Sequence, residues 1–570
     1  MGLSSSLQIA RTGLLASQTA IETTGNNLAN LATPGYKVQR VDLAPVGDRR
    51  VSGSTYVGQG VQIQAVTRQV SESIEARLRT SIADQSGAAT TADQISRLQA
   101  VQNELTERDL TSRLGAYFNA WSQLTTNPQD PSLRTLVTSE GTSLAGFIND
   151  LRQGYNDIRS EASTALGEAI TTAESLLTRI QEVNDSIATA EGGGGGQAHS
   201  LRDKRDSLLG ELAQYLDVSV VEQNNGRIDI YVGSLPIMLN GDSRGLDMRS
   251  QTIDGEVVTE VFIKEDGSAV DISSGELGAR IEFINNTLKQ SIDQLDTITG
   301  QLVFETNRLH SQGQGTTLLR EAVATNTVTD TTAALSDLEL TELPFKASNG
   351  SFDISVVSEA TGQASTTTVN IDLDGIDPTN DTSLDDLAAS LNAIAGVTAT
   401  IDPTGKLEIA ASSANNRLSF SNDTSGVLAA LGVNSFFTGS DAYDIGVNDV
   451  IKADPTLLAA AQDRLPGDNR NALALSALRD QPLSALQGLS ITRAWSKEVE
   501  TVGIELAQAN DDQEAFAVVR ENLQSRQAAV SGVNADEETI NLLAFQRAYQ
   551  ASARFITVVD ELTQTLLSTV

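Results

Sequence analysis

The chain begins and ends with apolar residues at heptad spacing, and this pairing of its termini constrains the fold more than any other feature. The first segment carries apolar or small side chains at the a and d positions of a coiled-coil helix. These positions are Leu3, Leu7, Ala10, Leu14, Ser17, Ile21, Thr24, Leu28 and Leu31. The last segment repeats the pattern with Leu542, Phe545, Tyr549, Ser552, Ile556, Val559, Thr563, Leu566 and Val570. Because each stripe is narrow, neither helix is stable alone, and we predict that the two pack together or against neighbouring subunits.

The first helix runs into a stop signal at residues 26–36. Pro34 disfavours the helical conformation in the residue before it, and Gly35 permits a turn that reverses or kinks the chain. The signal consists of Asn26, Asn27, Leu28, Ala29, Asn30, Thr33, Pro34, Gly35 and Tyr36. It resembles the N-terminal motif of the axial proteins of the bacterial flagellum, the family of rod, hook and hook-associated proteins.

A second motif lies near the other end, at residues 543–553, and reads Leu-Ala-Phe-Gln-Arg-Ala-Tyr-Gln-Ala-Ser-Ala. It is similar to the C-terminal motif of the same axial proteins. Two further stretches, Ser-Gly-Val-Asn-Ala-Asp-Glu-Glu at 531–538 and Gly-Asp-Asn-Arg-Asn-Ala at 467–472, resemble the hook-associated protein 1 family. The resemblance covers the ends and the helical regions strongly and the middle of the chain weakly.

Charge is distributed unevenly along the chain, whose formal net charge is −35. Residues 330–463 contain 20 acidic and 4 basic side chains, whereas residues 1–50 contain 3 acidic and 5 basic ones. Segments that pack against copies of themselves cannot carry strong like charge, but a solvated outer domain can. The lack of a basic face argues against nucleic acid as a partner.

Two further exclusions follow from composition. The chain has no apolar run long enough for a membrane span, and its start, Met-Gly-Leu-Ser-Ser-Ser, does not resemble a cleaved secretory signal. We therefore expect no membrane as a partner. Cysteine is absent, which rules out disulfides, thiolate metal sites and a cysteine nucleophile.

The body of the chain alternates between helical and strand patterns. Seam spacing in residues 166–187 and 277–309 predicts long helices. Between them, the five glycines Gly192 to Gly196 indicate a flexible linker, because no Lys follows as in a phosphate-binding loop. The next helix is predicted to open at Ser200, with Asp203 in a capping-box-like pair. Asn224-Asn225-Gly226 then indicates a hairpin between strands at 218–221 and 228–232.

These patterns predict a mixed α and β, multidomain protein with a terminal α-helical coiled-coil domain and an elongated helical bundle body with β-rich insertions. Residues 1–50 with 534–570 form the terminal coiled-coil assembly domain. Residues 51–324 with 450–533 form the helical body, including a β-rich segment at 218–271. Residues 325–449 form an acidic α+β outer insertion, with strands near 352–357, 367–373, 397–401 and 406–410 and a helix at 384–394.

Candidate catalytic chemistry is sparse. Asp372, Asp374 and Asp377 surround Gly375, but the glycine lies too early for a helix-loop-helix calcium site and no bidentate Glu follows. The two histidines, His199 and His310, do not form a zinc protease pattern. For the three aspartates, a solvated acidic turn is the better interpretation. We predict no catalytic, cofactor or metal site and no enzyme activity.

The resemblance implies a structural component of the bacterial flagellum that forms the hook-filament junction and is required for filament assembly and motility. Implied partners are copies of the chain in an axial tube, the hook protein, a second junction protein and a small cytoplasmic export chaperone. The implied location is extracellular, after transient residence in the cytoplasm and export through the flagellum's own channel. A hook or rod protein is the nearest alternative, because the spacing of residues 35–40 also suits those proteins. An alternative of another class is a secreted enzyme carried on a flagellar scaffold.

The candidate site residues are those of the two terminal motifs and stripes. For assembly at the N-terminus they are Leu7, Leu14, Ile21, Asn26, Asn27, Leu28, Asn30, Pro34, Gly35 and Tyr36. For assembly or chaperone binding at the C-terminus they are Leu542, Phe545, Gln546, Tyr549, Ile556, Val559 and Leu566.

Overall fold

The computed structural model describes residues 2–52, 55–103, 109–192, 196–253, 256–376, 380–463 and 465–569. The chain is a mixed α and β, multidomain protein that divides into two compact units. The first unit comprises residues 1–94, 162–285 and 507–570, and the second comprises residues 95–161 and 286–506. The elongated bundle and the coiled-coil geometry of the termini stay predictions.

Fourteen α-helices occur among the described residues. They are α1 (Leu3–Ala29), α2 (Glu72–Gln102), α3 (Leu110–Leu124), α4 (Pro131–Glu191), α5 (His199–Leu212), α6 (Gly275–Glu282), α7 (Leu288–His310), α8 (Leu338–Thr341), α9 (Leu384–Asn392), α10 (Val427–Leu431), α11 (Asp449–Ala453), α12 (Arg470–Ala477), α13 (Ile491–Ser531) and α14 (Ala535–Thr569). The heptad-spaced segments predicted as long helices thus lie in α4 and in α6 and α7, which a π-helical turn at Phe283–Thr287 joins.

The described strands are short. They are β1 (Gln39–Pro45), β2 (Arg49–Ser52), β3 (Thr55–Val57), β4 (Val61–Arg68), β5 (Val218–Glu222), β6 (Ile228–Val232), β7 (Leu235–Leu239), β8 (Asp242–Ser243), β9 (Leu246–Ile253), β10 (Glu256–Ile263), β11 (Ala269–Val270), β12 (Glu321–Val323), β13 (Gly350–Ser358), β14 (Ala364–Ile371), β15 (Val397–Ile401), β16 (Leu407–Ala411), β17 (Asn416–Ser421), β18 (Phe437–Thr438) and β19 (Gly446–Val447).

The first unit combines helices with small antiparallel sheets. β1 pairs with β4 and β2 with β3, while β5 to β8 form a four-stranded meander and β9 to β11 a three-stranded sheet. The predicted hairpin is confirmed, because β5 and β6 pair in register from Val218 opposite Val232 to Glu222 opposite Ile228. Its turn needs a glycine, since Gly226 has a φ of +81°.

The five-glycine run falls between α4 and α5, and residues 193–195 of it lie outside the described residues, so the linker stays a prediction. Glu191, the last residue of α4, accepts hydrogen bonds from the Ala198 backbone nitrogen and from Arg202 Nε, both at 2.8 Å. The bond from Arg202 lowers the pKa of Glu191 to about 2. This ion pair ties the end of α4 to the start of α5.

The predicted start of α5 is wrong in detail. The helix begins at His199 rather than Ser200, and no side chain caps its N-terminus. Asp203 does not act as a capping partner, because Arg68 Nη1 donates to its carboxylate at 2.6 Å. An ion pair between a carboxylate and a guanidinium joins two charged groups and is stronger than a bond from an uncharged backbone N–H, so the tertiary partner takes the carboxylate.

The second unit contains the sheets β14-β13-β17, β12-β16-β15 and β18-β19. The strands predicted near 352–357, 367–373, 397–401 and 406–410 correspond to β13, β14, β15 and β16, and the predicted helix corresponds to α9. α9 begins with a capping box, in which Ser383 Oγ accepts from the Asp386 backbone nitrogen at 3.2 Å. The three-part domain division stays a prediction.

The core of the second unit contains a cluster of aromatic side chains. Tyr117 and Trp121 of α3 are fully buried and meet Phe436 and Phe437, with ring centroids 5.5 to 5.8 Å apart. His310, at the end of α7, closes the cluster 5.8 Å from Phe436. Rings at these separations bury large apolar areas, so this region is a closed hydrophobic core.

Candidate assembly site at the paired termini

The two terminal helices pack against each other within the first unit, as the sequence predicts. The contact is close, since a Cβ added at Gly13 of α1 would lie 3.0 Å from Ser552 Oγ of α14. The face that α1 buries consists of small and polar residues: Ala10, Ala16, Ser17, Ala20, Thr24 and Asn27. Small side chains allow this close approach of helices but bury little apolar area.

The large side chains of the α1 stripe lie beside this buried face. Leu14, Ile21 and Leu28 are half-buried, and Leu7 is 44% exposed. The residues interleaved with them, Ala10, Ser17 and Thr24, are therefore the buried half of the predicted heptad. The assembly role of the four large residues stays a prediction.

In α14 the residues of the predicted stripe differ in exposure, from buried to exposed. Val559 is buried, and Leu542, Phe545 and Ile556 are half-buried. Gln546 is exposed, as are Tyr549 at 37% and Leu566 at 53%. The helix also exposes apolar side chains outside this stripe: Ile540, Leu543, Phe555, Val558, Leu562 and Leu567. An apolar helix face of this extent is typical of a binding surface.

Asn27 holds the start of β1 next to α1. Its Nδ2 donates to the Gln39 carbonyl oxygen at 2.9 Å, and its Oδ1 accepts from the Gln39 backbone nitrogen at 3.1 Å. The side chain thereby satisfies both backbone groups of Gln39, as a neighbouring strand would.

The same carboxamide also connects the chain termini. Asn27 Nδ2 donates to Glu538 Oε2 of α14 at 2.8 Å, and the hydroxyl of Tyr36 donates to Asn27 Oδ1 at 2.8 Å. Burial, with smaller contributions from Asp203 and Glu538, raises the pKa of Tyr36 to about 12, so its hydroxyl stays a donor. Glu538 belongs to the motif at 531–538, but its partnership with Asn27 was not predicted.

The predicted helix stop is confirmed. α1 ends at Ala29, and Asn30 turns back, its Nδ2 donating to Asn26 Oδ1 at 3.0 Å. Gly35 has a φ of +79°, a conformation that L side chains rarely adopt. Pro34 and Gly35 are exposed. The stop therefore directs the chain from α1 into β1.

A ribbon of two strands, β1 and β4, runs beside α1 and was missed in the sequence. Near the middle of α1 the backbones approach closely, because a Cβ added at Gly60 would lie 3.3 Å from Ile9 Cα and closer still to Thr12 Oγ1. The alternation Val-Gln-Ile-Gln-Ala-Val at 61–66 is a strand signal that could have revealed it. α1 thus contacts both this ribbon and α14.

The base of the ribbon is fixed by backbone hydrogen bonds and buried ion pairs. Val38 donates from its backbone nitrogen to the Ser531 carbonyl oxygen, at the end of α13, at 2.9 Å. Lys37 Nζ lies 2.6 Å from Glu75 Oε1, and Arg68 Nη1 lies 2.6 Å from Asp203 Oδ1. Burial raises the pKa of Asp203, although Arg68 opposes the shift. Both strands of the ribbon are therefore anchored at this one end, to α2 and α5.

The motif at 467–472 holds a loop of the second unit. Asp468 accepts from the Asp463 backbone nitrogen at 2.7 Å and pairs with Arg470, which holds its pKa well below the usual range. Asn471, fully buried, donates to the Ala459 carbonyl oxygen at 2.7 Å. These bonds give the motif a structural role.

The candidates for metal or catalytic chemistry lie elsewhere. Asp377 lies outside the described residues, while Asp372, Asp374 and Asp381 each bring one oxygen within 4.8 Å of the others. Acidic groups commonly gather in this way at a surface without an ion, so the absence of a metal site stays a prediction.

His310 is a buried structural group. Its Nδ1 lies 2.8 Å from the Asn434 carbonyl oxygen, and its Nε2 accepts from the Ala459 backbone nitrogen at 3.0 Å. These partners fix a neutral tautomer with the proton on Nδ1. Burial lowers the pKa of the imidazole to about 4.

A membrane span was sought in the described ranges, and none of their helices is both long and apolar enough to cross a bilayer.

Three parts of the chain match known families. Residues 95–318 match the helical domain of the flagellar hook-associated protein FlgK. Residues 7–37 match the flagella basal body rod protein family, and residues 526–569 match the C-terminal region of the flagellar basal body rod proteins FlgEFG.

Curated relatives extend over the whole chain. It is 24% identical to flagellar hook-associated protein 1 of Escherichia coli strain K12, over 99% of this chain and 100% of that protein. It is 25% identical, with the same coverage, to the protein of that name from Salmonella typhimurium. The Bacillus subtilis relative of that name is 26% identical over 49% of this chain and 57% of its own length.

A solved structure, that of the flagellar hook junction protein FlgK from Burkholderia pseudomallei, is similar over 80% of this chain and 100% of its own, with 17% identity and a TM-score of 0.49.

The alternatives of a hook or rod protein and of a secreted enzyme are not favoured. The rod family matches are confined to the two ends, whereas the relatives that match the whole chain are both named flagellar hook-associated protein 1. Over its whole length the chain is therefore similar to flagellar hook-associated protein 1, and residues 95–318 match the FlgK helical domain.

Proposed function

We propose that this chain forms the junction between the finished flagellar hook and the filament, and that it acts as a structural subunit rather than an enzyme. The observation that carries the proposal is the pairing of α1 with α14 through small residues, which leaves Leu7 and Leu566 exposed. Exposed apolar stripes on a paired terminal layer suit packing with copies of the same chain in an axial tube.

The proposed partners in the tube are other copies of the chain, the hook protein on one side and the second junction protein on the other. A head-to-tail interface on a helical lattice adds subunits without limit unless the next component differs. A junction subunit would supply this difference, since it accepts the hook below and offers a new ring above. The resulting location is the extracellular flagellum.

Before export, the proposed partner is a small cytoplasmic chaperone that covers the C-terminal helix. The support is the apolar surface of α14, where Phe555, Leu562 and Leu566 are 43% to 53% exposed. An amphipathic helix of this kind binds in a groove of its partner. Covering it would prevent premature association of the chain in the cytoplasm.

Electron microscopy of the source bacterium with this gene deleted tests the junction role. We expect finished hooks without filaments, with flagellin released into the medium, and recovery on return of the wild-type gene. Absent hooks would move the assignment to a hook or rod protein. Intact filaments would refute a structural role.

A further inference from the structure

The ribbon formed by β1 and β4 carries an exposed apolar surface. Leu43 and Ile63 are directly opposite each other in its register and are 45% and 39% exposed. Tyr56, near the far end of the ribbon, is 58% exposed. A two-stranded ribbon is marginally stable alone, and neither strand has a second partner strand among the described residues. The ribbon therefore has both the composition and the open edges of a contact surface.

The ribbon lies in a net basic portion at the start of a strongly acidic chain. Residues 1–68 contain six basic and three acidic side chains, a net charge of +3, although the whole chain carries −35. Arg49, near Tyr56, is exposed and makes no ion pair with any described residue. An exposed cation next to apolar residues favours an acidic partner surface.

A surface of this complementary kind occurs on α13 of the same chain, within the first unit. Val518 and Val519 are 62% and 47% exposed. Asp511, Glu514 and Glu521 are exposed too, and none has an ion-pair partner in the described ranges. Asp511, Glu514, Val518 and Glu521 follow the helical spacing of three and four, so they share one face, which we call the acidic face of α13.

We propose that the ribbon of one copy docks on the acidic face of α13 of a neighbouring copy. Leu43 and Ile63 cover Val518 and Val519, and Arg49, in β2 just beyond the end of β1, meets Asp511 and Glu514. Such a contact joins different surfaces of two copies, as a helical or ring assembly requires. It rests on the proposed function, because only an axial assembly holds copies side by side.

Cysteine cross-linking tests the contact directly, because the natural chain contains no cysteine. The double variant Leu43→Cys, Val518→Cys replaces the wild-type gene, and isolated flagella are oxidised and separated under denaturing conditions. We expect a ladder of multimers, because each copy can link to the next on either side. Each single variant should give at most a dimer.

The matched control Leu43→Cys, Val257→Cys places the second cysteine at another exposed valine of the first unit and should give no ladder. No ladder with Val518→Cys, or an equal ladder with Val257→Cys, would overturn the proposal.

Charge reversal provides a second test. Arg49→Glu places like charges in contact, so we expect about tenfold fewer filaments per cell, which corresponds to about 1.4 kcal/mol of lost contact energy. Adding Glu514→Arg should restore filament number, and release of each variant into the medium measures its export. Wild-type filament number with Arg49→Glu, or no recovery with the double variant, contradicts the proposal. The gene deletion could remove filaments while Arg49→Glu keeps them, or while the double variant fails to recover them. In either case the inference fails and the junction role stands.

Discussion

The aromatic core of the second unit and the paired terminal helices of the first are built in opposite ways. Trp121 and Tyr117 are fully buried among other rings. In α1, by contrast, the buried face is made of Ala, Ser, Thr and Asn, and Leu7 is 44% exposed. One region completes its core within a single chain, whereas the other keeps large apolar side chains on its surface.

This difference separates folding from assembly along the chain. Burial of apolar area stabilises by about 25 cal/mol per Å², so the aromatic cluster contributes far more to folding than the small residues of α1 do. The apolar area that α1 and α14 leave exposed is available for contacts with other chains. Variants in the two regions should therefore change different measurements.

The largest expected effect on folding is at Trp121. Trp121→Ala removes a fully buried ring and should lower the free energy of unfolding of the second unit by about 3–5 kcal/mol. The matched change Leu7→Ala, at an exposed position of α1, should lower the free energy of unfolding of the first unit by less than about 0.5 kcal/mol. Urea unfolding followed by circular dichroism measures both. Equal losses for the two variants would remove the contrast between the regions.

The second prediction concerns pH and the same aromatic core. The pKa of buried His310 is about 4, below its ordinary value of 6.5. As the pH falls through 6.5, the unfolded chain takes up a proton that the folded chain cannot, so stability is full above pH 6.5 and declines toward pH 4. The expected loss is about 3 kcal/mol.

Tryptophan fluorescence can measure this loss selectively, because Trp121 and Trp495, the two tryptophans, both lie in the second unit. His310→Gln serves as the control: it lowers stability at all pH values but should flatten the dependence between pH 6.5 and 4.5. An unchanged slope in this variant would assign the pH dependence to other groups.

The sequence predicted those parts of the fold that local signals determine. The helix stop at Pro34 and Gly35 and the hairpin around Gly226 depend on backbone preferences of residues next to each other, and both are confirmed. The pairing of the terminal helices was predicted from heptad spacing, which holds in both segments although the side chains at those positions range from Ala and Ser to Phe and Tyr.

Tertiary partners decided what the sequence did not reveal. Asp203 was interpreted as a cap, but Arg68, which is distant in sequence, takes its carboxylate. The buried side of α1 is set by the close approach at Gly13 and Gly60, which favours Ala10 and Ser17 over the leucines. Such choices depend on neighbours that periodicity in one segment cannot identify.

The third prediction concerns the link between the termini. Asn27→Ala removes the partner of Gln39, Tyr36 and buried Glu538, and should destabilise the terminal layer by about 2 kcal/mol, since buried polar groups lose their hydrogen bonds. Faster hydrogen exchange in residues 39–45 and 535–545 measures the effect. The control Gln18→Ala changes an exposed residue of the same helix, whose side chain bonds only to Glu22 among the described residues, and should leave exchange nearly unchanged. Unchanged exchange in Asn27→Ala would show that the ribbon and α14 do not depend on this side chain.

Variants in the stripe of α14 have the smallest expected effect on folding. They therefore give the sharpest test of the contrast between the aromatic core and the terminal helices. Replacing Tyr549 and Ile556 together with Asp should change the tryptophan-monitored unfolding of the second unit by less than about 0.5 kcal/mol, because neither residue belongs to that unit. Chaperone binding and filament assembly should both be abolished, since burying two unpaired carboxylates in an apolar contact is strongly unfavourable. Co-purification with the chaperone and electron microscopy of flagella measure the two losses.

The control Gln550→Asp, Thr557→Asp adds the same charges at exposed polar positions one residue further along and should preserve both activities. Normal assembly of the first variant would refute the role of this stripe, and equal loss in the control would assign the effect to charge alone.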